Sequence, residues 1–370
     1  MAQLLSARIS VGLHNHDDAG AWTNLLALTR LALAWSPQPF SAGDRSRLAC
    51  LSYARDATWW GLQADTWTEE QLAGLQREWE QGSRLADLPQ VVAATRVRML
   101  EYCGERRVSK RLSDRLRYPD PRLIPPASAW KWFETCFLCY PADFLREGPA
   151  LVVWNVLGAL YPWHGSYRDE AAILRYFRDQ ECEIKEALTL PTWARIMSTA
   201  AITHEPKPLR GCRWSSLVQE FNWMRGYSTK EVLKLAAATE ALRRVTAGAL
   251  AIERHRLRHG VYPESIREVA PLAAMPLVDF MDGKPLRYRR LPDDRFLLYS
   301  VGLDGEDNGG IFRPHSSGSE AWPAPGFDIL WPVPATKLEV EAGLSRDPDR
   351  RRVQVRHLGN ETEVFPQAPP

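Results

Sequence analysis

The spacing of apolar residues changes along the chain from a helical period to a strand period. Up to about residue 257, apolar side chains recur roughly every three or four positions, which is typical of amphipathic helices. This spacing predicts a helix that stops before Pro37, and further helices over 41–61, 88–107, 129–139, 141–160 and 166–190. Beyond about residue 285, apolar and polar residues alternate, which indicates β-strands.

Capping boxes mark the starts of two further helices. Overlapping boxes within 66–71 predict a helix that continues through the next apolar face, because a Thr side chain accepts a backbone N–H while Glu or Gln reaches back. Ser228 and Glu231 form a second box at the start of a long helix with one apolar face. Gly260 stands where a left-handed residue would end that helix.

The alternating part predicts a small antiparallel sheet. A short helix opened by Pro263 comes first. Strands over 285–290 and 295–301 follow, joined by a turn at 292–294, and a last short strand is expected over 328–331. The predicted fold class is therefore a mainly α N-terminal region followed by an α+β domain, in which the long helix packs on the sheet.

These elements predict three segments. Residues 1–227 are an irregular helical region with a proline-rich loop or linker near 119–128, and residues 228–335 are the α+β domain. Residues 336–370 are a charged tail that is expected to be partly disordered. We expect the first two segments to be joined rigidly, because the long helix is too apolar on one face to stand alone.

Composition and charge place the chain among soluble globular proteins. It is 45% hydrophobic and 25% charged, and its 47 Lys and Arg nearly balance its 45 Asp and Glu. This balance gives no reason to expect nucleic acid as a partner. The basic run 287–290 is interpreted as solvated surface. The 15 tryptophans are interpreted as core residues, although indole also suits interfaces.

The spacing of the cysteines argues against a disulfide framework, and the hydropathy argues against a transmembrane helix. The six cysteines show no disulfide-framework spacing, and the CxxC at 136–139 lies in a segment that reads as an apolar helix. The most apolar stretch, 150–163, is shorter than the roughly 20 residues that a transmembrane helix needs. No transmembrane segment is therefore predicted in this chain.

One ordered series of motifs in the last third resembles a known family. Its members are Tyr262-Pro263 after the long helix, Asp282-Gly-Lys-Pro-Leu-Arg-Tyr288, Leu298-Tyr-Ser-Val-Gly302, Asp304-Gly-Glu-Asp-Asn-Gly-Gly310 and Asp328-Ile329. In this order and spacing, residues 229–334 resemble the globular domain of type II secretion major pseudopilins. The resemblance implies a pilin-like α+β fold for less than a third of the chain.

The resemblance also implies a metal site and departs from the family in one respect. Because the family binds calcium in the matching loop, it implies calcium held by Asp304, Asp307, Asp328 and the carbonyl of Leu303. The alternative is a solvated Gly-Asp turn that holds no ion. Where a pseudopilin has a processing site and an apolar N-terminal helix, this chain has a helical region, as in large planctomycete and verrucomicrobial proteins that it also resembles. Assembly into a pseudopilus is therefore not implied.

Other candidate metal ligands are weaker. An EF-hand is rejected for the acidic loop because its twelfth position is His315 and a strand precedes it. His255 and His259 have the spacing of a zinc pair, but flanking arginines favour a solvated face. The polar loop 14–18 lacks residues that would complete a site.

The chain carries no Walker A loop and no GxSxG, GxGxxG or HExxH motif. The sequence therefore favours a structural or interaction protein with a protein partner over an enzyme. The alternatives are a secretion-apparatus component proper, and an enzyme whose site lies between the two regions. The expected location is the periplasm or cell envelope if the native chain has an upstream signal or anchor, and the cytoplasm otherwise.

Overall fold

In the computed structural model, the described residues are 1–34, 42–81, 85–108, 163, 166–198, 228–291, 294–310, 328–334, 353–358 and 361–366. The N-terminal helices are α1 (Ala2–His14), α2 (Asp18–Leu33), α3 (Ala42–Gln63), α4 (Glu69–Gln81) and α5 (Leu88–Val108), the last preceded by a 3-10 turn at Leu85–Asp87. Helices α6 (Ser166–Ala187) and α7 (Trp193–Ser198) follow.

The C-terminal part begins with the long helix α8 (Thr229–His259) and a 3-10 helix at Ile266–Leu272. Strands β1 (Arg287–Leu291), β2 (Arg295–Ser300) and β3 (Ile329–Leu330) then form an antiparallel sheet in the order β1-β2-β3. Beyond them, β4 (Val353–Leu358) and β5 (Glu361–Pro366) pair as an antiparallel hairpin.

The limits of α8 follow from the residues at its two ends. The Ser228 hydroxyl accepts the Glu231 amide at 3.3 Å, which satisfies one of the N–H groups that a helix start leaves unpaired. At the other end, Gly260 has φ +77°, which glycine adopts without the strain of a side chain. Both predicted ends of the long helix are therefore confirmed.

Helix α8 is the centre of the described structure. It contacts β2 and β3 of the sheet, and it also contacts α3, α4 and α6 of the helical region. Gly248 lies on the sheet side, where an added Cβ would come within 3.3 Å of Leu286 and 3.5 Å of Leu298. The absent side chain therefore lets the sheet pack closely on the helix.

One hydrophobic core of the described residues runs across the predicted boundary at 227/228. Leu75 and Trp79 of α4 and Phe177 of α6 belong to the same buried cluster as Leu250 of α8 and Phe296 of β2. The core is therefore continuous on both sides of α8. This arrangement agrees with the expected rigid joining of the helical region to the α+β domain.

The predicted combination of a helical region with a small antiparallel sheet is confirmed. The second of the overlapping capping boxes forms in both directions, because Thr68 and Gln71 exchange side-chain bonds with each other's amides at 2.8 and 3.3 Å. The element after Pro263 is a 3-10 helix that starts later than expected, with Ser265 and Glu268 as its own capping box.

Several predictions fall outside the described residues: the helices over 129–139 and 141–160, the CxxC, the linker near 119–128 and the apolar stretch 150–163. The tail that was expected to be partly disordered contributes β4 and β5 to the described structure. No helix in the described ranges is both long and apolar enough to cross a membrane.

Candidate functional site

The acidic loop that follows β2 is the candidate site predicted from the sequence. It makes its turns at Gly305, Gly309 and Gly310, which have φ values of +74°, +73° and +83°. Such values favour glycine because a Cβ would strain the backbone there. The glycines thus let successive carboxylates and amides of this loop meet.

Two of the predicted ligands hold the backbone of the loop. The Asp328 carboxylate is buried and accepts the Gly310 amide at 2.7 Å and the Asn308 amide at 3.5 Å. Asp328 directly precedes β3, so these bonds tie the start of β3 to the end of the loop. At the start of the loop, Asp304 accepts the Glu306 amide at 3.1 Å, which forms an Asx-type turn.

The third carboxylate, Asp307, is bound from three directions. Its Oδ1 accepts the Gly309 amide at 3.0 Å and the Tyr299 hydroxyl at 2.9 Å. Its Oδ2 accepts Nε–H of Arg287 at 3.3 Å. Burial works against the charged form, but these donors outweigh it and lower the pKa of Asp307.

The carbonyl of Leu303 is used by a tryptophan from the helical region. The Trp193 indole N–H donates to it at 2.8 Å, across 110 residues of sequence. In a similar way, the Trp59 indole donates to the Val333 carbonyl at 3.2 Å. Two of the many tryptophans therefore act at the junction between the helical region and the α+β domain.

Each predicted calcium ligand has a hydrogen-bond partner within the protein. Oxygens of Asp304, Asp307 and Asp328 accept N–H or O–H donors, and the Leu303 carbonyl accepts an indole. No group of three or more His, Cys, Asp or Glu side chains in the described ranges is placed to hold a metal ion. Calcium binding stays a prediction from the resemblance, and no step below uses it.

The basic run 287–290 was wrongly interpreted as uniformly solvated. The side chain of Arg287 is only 15% exposed and pairs with Asp279, Asp282 and Asp307. A signal for this was available, because strands joined by a turn at 292–294 can pair Arg287 with Tyr299 beside the acidic loop, and this is the register of the structure. The role of Asp279 had no such local signal.

A second set of polar contacts joins α4 to α8. Arg243 of α8 is buried and donates to the carbonyls of Trp79 and Glu80 at 2.7 and 2.8 Å. These carbonyls lie in the last turn of α4, where a helix has no internal donors for them. Arg243 also pairs with Glu240 at 2.7 Å. Burial opposes ionisation of Glu240, but its arginine partners outweigh burial and lower its pKa.

The other end of α4 is held by the same helix. Arg254 and Arg258 both pair with Glu69 at the start of α4, at 2.7 and 2.6 Å. Arg254 also donates to the Gln76 side chain and to the Leu272 carbonyl, each at 2.9 Å. Helix α4 is therefore fixed to α8 near both of its ends.

The end of α8 carries a buried carboxylate. Glu253 accepts the Tyr262 hydroxyl at 2.9 Å and pairs with Arg256, which also pairs with Asp65 after α3. Burial raises the pKa of Glu253, although Arg256 and Tyr262 act in the opposite direction. This network fixes the loop after α8 against the helix.

The remaining histidine and acidic candidates do not gather into a site. The ring centroids of His255 and His259 are 4.3 Å apart, and Nδ1 of His255 lies 3.2 Å from the Val261 carbonyl oxygen. Within the loop 14–18, Asp17 serves as the N-cap of α2 and accepts the Gly20 amide at 3.0 Å. An open groove between α1 and α2, lined by Ala7, Arg8, Val11, Gly12, Asn15, Asp17 and Asn24, shows no catalytic constellation.

Comparison of the chain with family models, with curated proteins and with solved structures found no match. Its assignment to a function therefore rests on its own residues and contacts.

Proposed function

We propose that this chain is a structural or interaction protein in which a pseudopilin-like domain is fixed on a helical scaffold as a docking module for a protein partner. The observation that carries the proposal is the position of α8, which packs on the sheet and on the helical region at once. A helix held on both sides keeps the domain in one orientation, which suits a module that presents a fixed surface.

The residues of the proposed pilin-like motifs hold the domain together, which supports the resemblance. The Tyr262 hydroxyl donates to the buried Glu253 of α8, and the Tyr288 hydroxyl donates to the Pro263 carbonyl at 2.6 Å. Tyr262 also packs edge-on against Phe296 of β2, with ring centroids 5.1 Å apart. The Tyr-Pro segment thus links the long helix to both strands of the hairpin.

The same position of α8 favours a fixed module over a secretion-apparatus subunit proper. A pseudopilin packs through its long helix into a pseudopilus. Here α3 and α4 pack on α8. The ion pairs of Glu69 and the hydrogen bond from Arg243 to the Trp79 carbonyl hold α4 in this position. Assembly through this face would first require α4 to leave it.

Site-specific photo-crosslinking in an envelope extract of the native host tests the proposal. A photoreactive residue is placed at Val261, which is 47% exposed beside the end of α8, and in a control at Val97 of α5, which is 53% exposed. The proposal expects one discrete adduct from Val261 that excess unlabelled chain competes away, with or without calcium. Absence of a competable adduct from Val261 contradicts it.

The identity of the adduct separates the two candidate functions. A ladder of copies of this chain, or an adduct with a pseudopilus subunit along α8, would favour the secretion-apparatus alternative. A single adduct with a different protein supports the docking module. Because Val97 lies on α5, which packs on α6, equal labelling from both positions would indicate nonspecific contact and count against a docking role.

A further inference from the structure

The guanidinium of Arg287 lies among three carboxylates, two from the turn before β1 and one from the acidic loop after β2. Its Nη2 and Nη1 bind the two oxygens of Asp282 at 2.5 and 3.1 Å. Its Nε donates to Asp307 at 3.3 Å, and Nη1 lies 3.4 Å from Asp279. The planar guanidinium presents five N–H donors in fixed directions, so it can bind one carboxylate through two bonds and other carboxylates through its remaining N–H groups.

Each of these carboxylates also accepts at least one backbone amide. Asp279, fully buried, accepts the amides of Met281 and Val301 at 2.9 and 2.8 Å and the Ser300 hydroxyl at 2.6 Å. Its bonds therefore join the turn before β1 to the end of β2.

The other two carboxylates organise the flanking turns. Asp282 accepts the Lys284 amide at 3.0 Å, and Asp307 accepts the Gly309 amide at 3.0 Å. Burial opposes the charge of Asp282, but its bonds to Arg287 outweigh burial and lower its pKa. The turn before β1 and the acidic loop after β2 thus meet at one cation.

We propose that Arg287 is the counter-charge that joins Asp307 to the turn before β1, so that the acidic loop keeps its conformation without calcium. A dication would be drawn to a group of carboxylates whose charges had no other counterion. Here an internal cation already supplies that charge, and it brings hydrogen bonds of fixed direction. Calcium bound through Asp307 would have to compete with the Arg287 guanidinium and the Tyr299 hydroxyl.

Thermal melting of the full chain in excess EDTA and in millimolar calcium tests the proposal. The wild-type protein is compared with Arg287→Gln, which removes the charge, and with Arg287→Lys, which keeps the charge without the fork. The expected result is one melting temperature for the wild type in both buffers, and a fall of about 4 °C or more in Arg287→Gln. The melting temperature of Arg287→Lys should lie between those of the wild type and Arg287→Gln. Arg287→Lys serves as the test variant if Arg287→Gln does not fold.

Hydrogen exchange provides a local readout that a general loss of stability would not mimic. In the Arg287 variants, the Gly309 amide should exchange about tenfold faster, since its acceptor Asp307 loses its cation, while amides of α5 should not change. Two results would overturn the proposal. One is a calcium-dependent rise in the wild-type melting temperature that Asp304→Ala abolishes, and the other is Arg287→Gln with unchanged melting and exchange.

Discussion

Arg287 and Tyr299 face each other across β1 and β2, and both bind the carboxylate of Asp307. Directly opposed residues in an antiparallel pair lie on the same face of the sheet, so this pairing aims a cation and a hydroxyl at one point. The loop after β2 returns Asp307 to that point. The register of the hairpin therefore fixes the acidic loop.

Removing the Tyr299 hydroxyl tests this relationship. In Tyr299→Phe, the loss of a hydrogen bond to a half-exposed carboxylate should lower the free energy of unfolding by about 1 kcal/mol. The matched control is Tyr53→Phe. The Tyr53 hydroxyl accepts an exposed hydrogen bond from Gln3, so its removal should change the free energy of unfolding little. Equal effects of the two substitutions in urea denaturation would refute the role given to Tyr299.

Much of the fold and the place of the acidic loop could be predicted from local pattern, but the long-range contacts of that loop could not. The limits of α8 were predictable because Ser228 and Gly260 act on the backbone beside them. By contrast, the bond from Trp193 to Leu303 joins residues 110 positions apart, and no local periodicity encodes it. The burial of Arg287 likewise depends on carboxylates from two other segments, so the sequence run alone resembles solvated surface.

A glycine in α3 provides a test of packing in the helical region. At Gly61, an added Cβ would come within 1.6 Å of the Trp67 ring, which is buried and packs edge-on against Trp22. Gly61→Ala should therefore lower the free energy of unfolding by about 1–3 kcal/mol. At Gly104 of α5, nothing lies within 4 Å, so Gly104→Ala should raise it by about 0.5–1 kcal/mol. Stabilisation by both substitutions would contradict the position of Trp67.

The buried arginine at the junction should matter far more than an exposed one. In Arg243→Met, Glu240 loses its buried partner and the end of α4 loses its donors, so the free energy of unfolding should fall by about 3–5 kcal/mol. Arg98→Met removes only exposed pairs with Glu101 and Glu105 and should have no measurable effect. Similar urea midpoints for the two variants would exclude a structural role for Arg243.

Two glutamates of α8 should respond to pH in opposite directions. The pKa of Glu240 is lowered from 4.5, so its contribution to stability is present above that value and is lost as pH falls through the folded pKa. The pKa of Glu253 is raised from 4.5, so its contribution is fully present below that value and is lost as pH rises through the folded pKa.

The measurement is the free energy of unfolding of Glu240→Gln and Glu253→Gln relative to wild type, from about pH 3.5 to about pH 7.5. As pH rises, Glu240→Gln should lose stability relative to wild type, whereas Glu253→Gln should gain. Since the substitution and the helix are the same, parallel pH profiles would show that the two environments do not differ as described.

Native-state hydrogen exchange of the full chain tests most directly whether α8 joins the helical region and the α+β domain into one unit. With wild type and Arg243→Met compared, the account predicts that amides of α4 and amides of β2 lose protection together, because both pack on α8. If α4 opened in the variant while β2 kept its wild-type protection, the two parts would be independent and the fixed docking module would be contradicted.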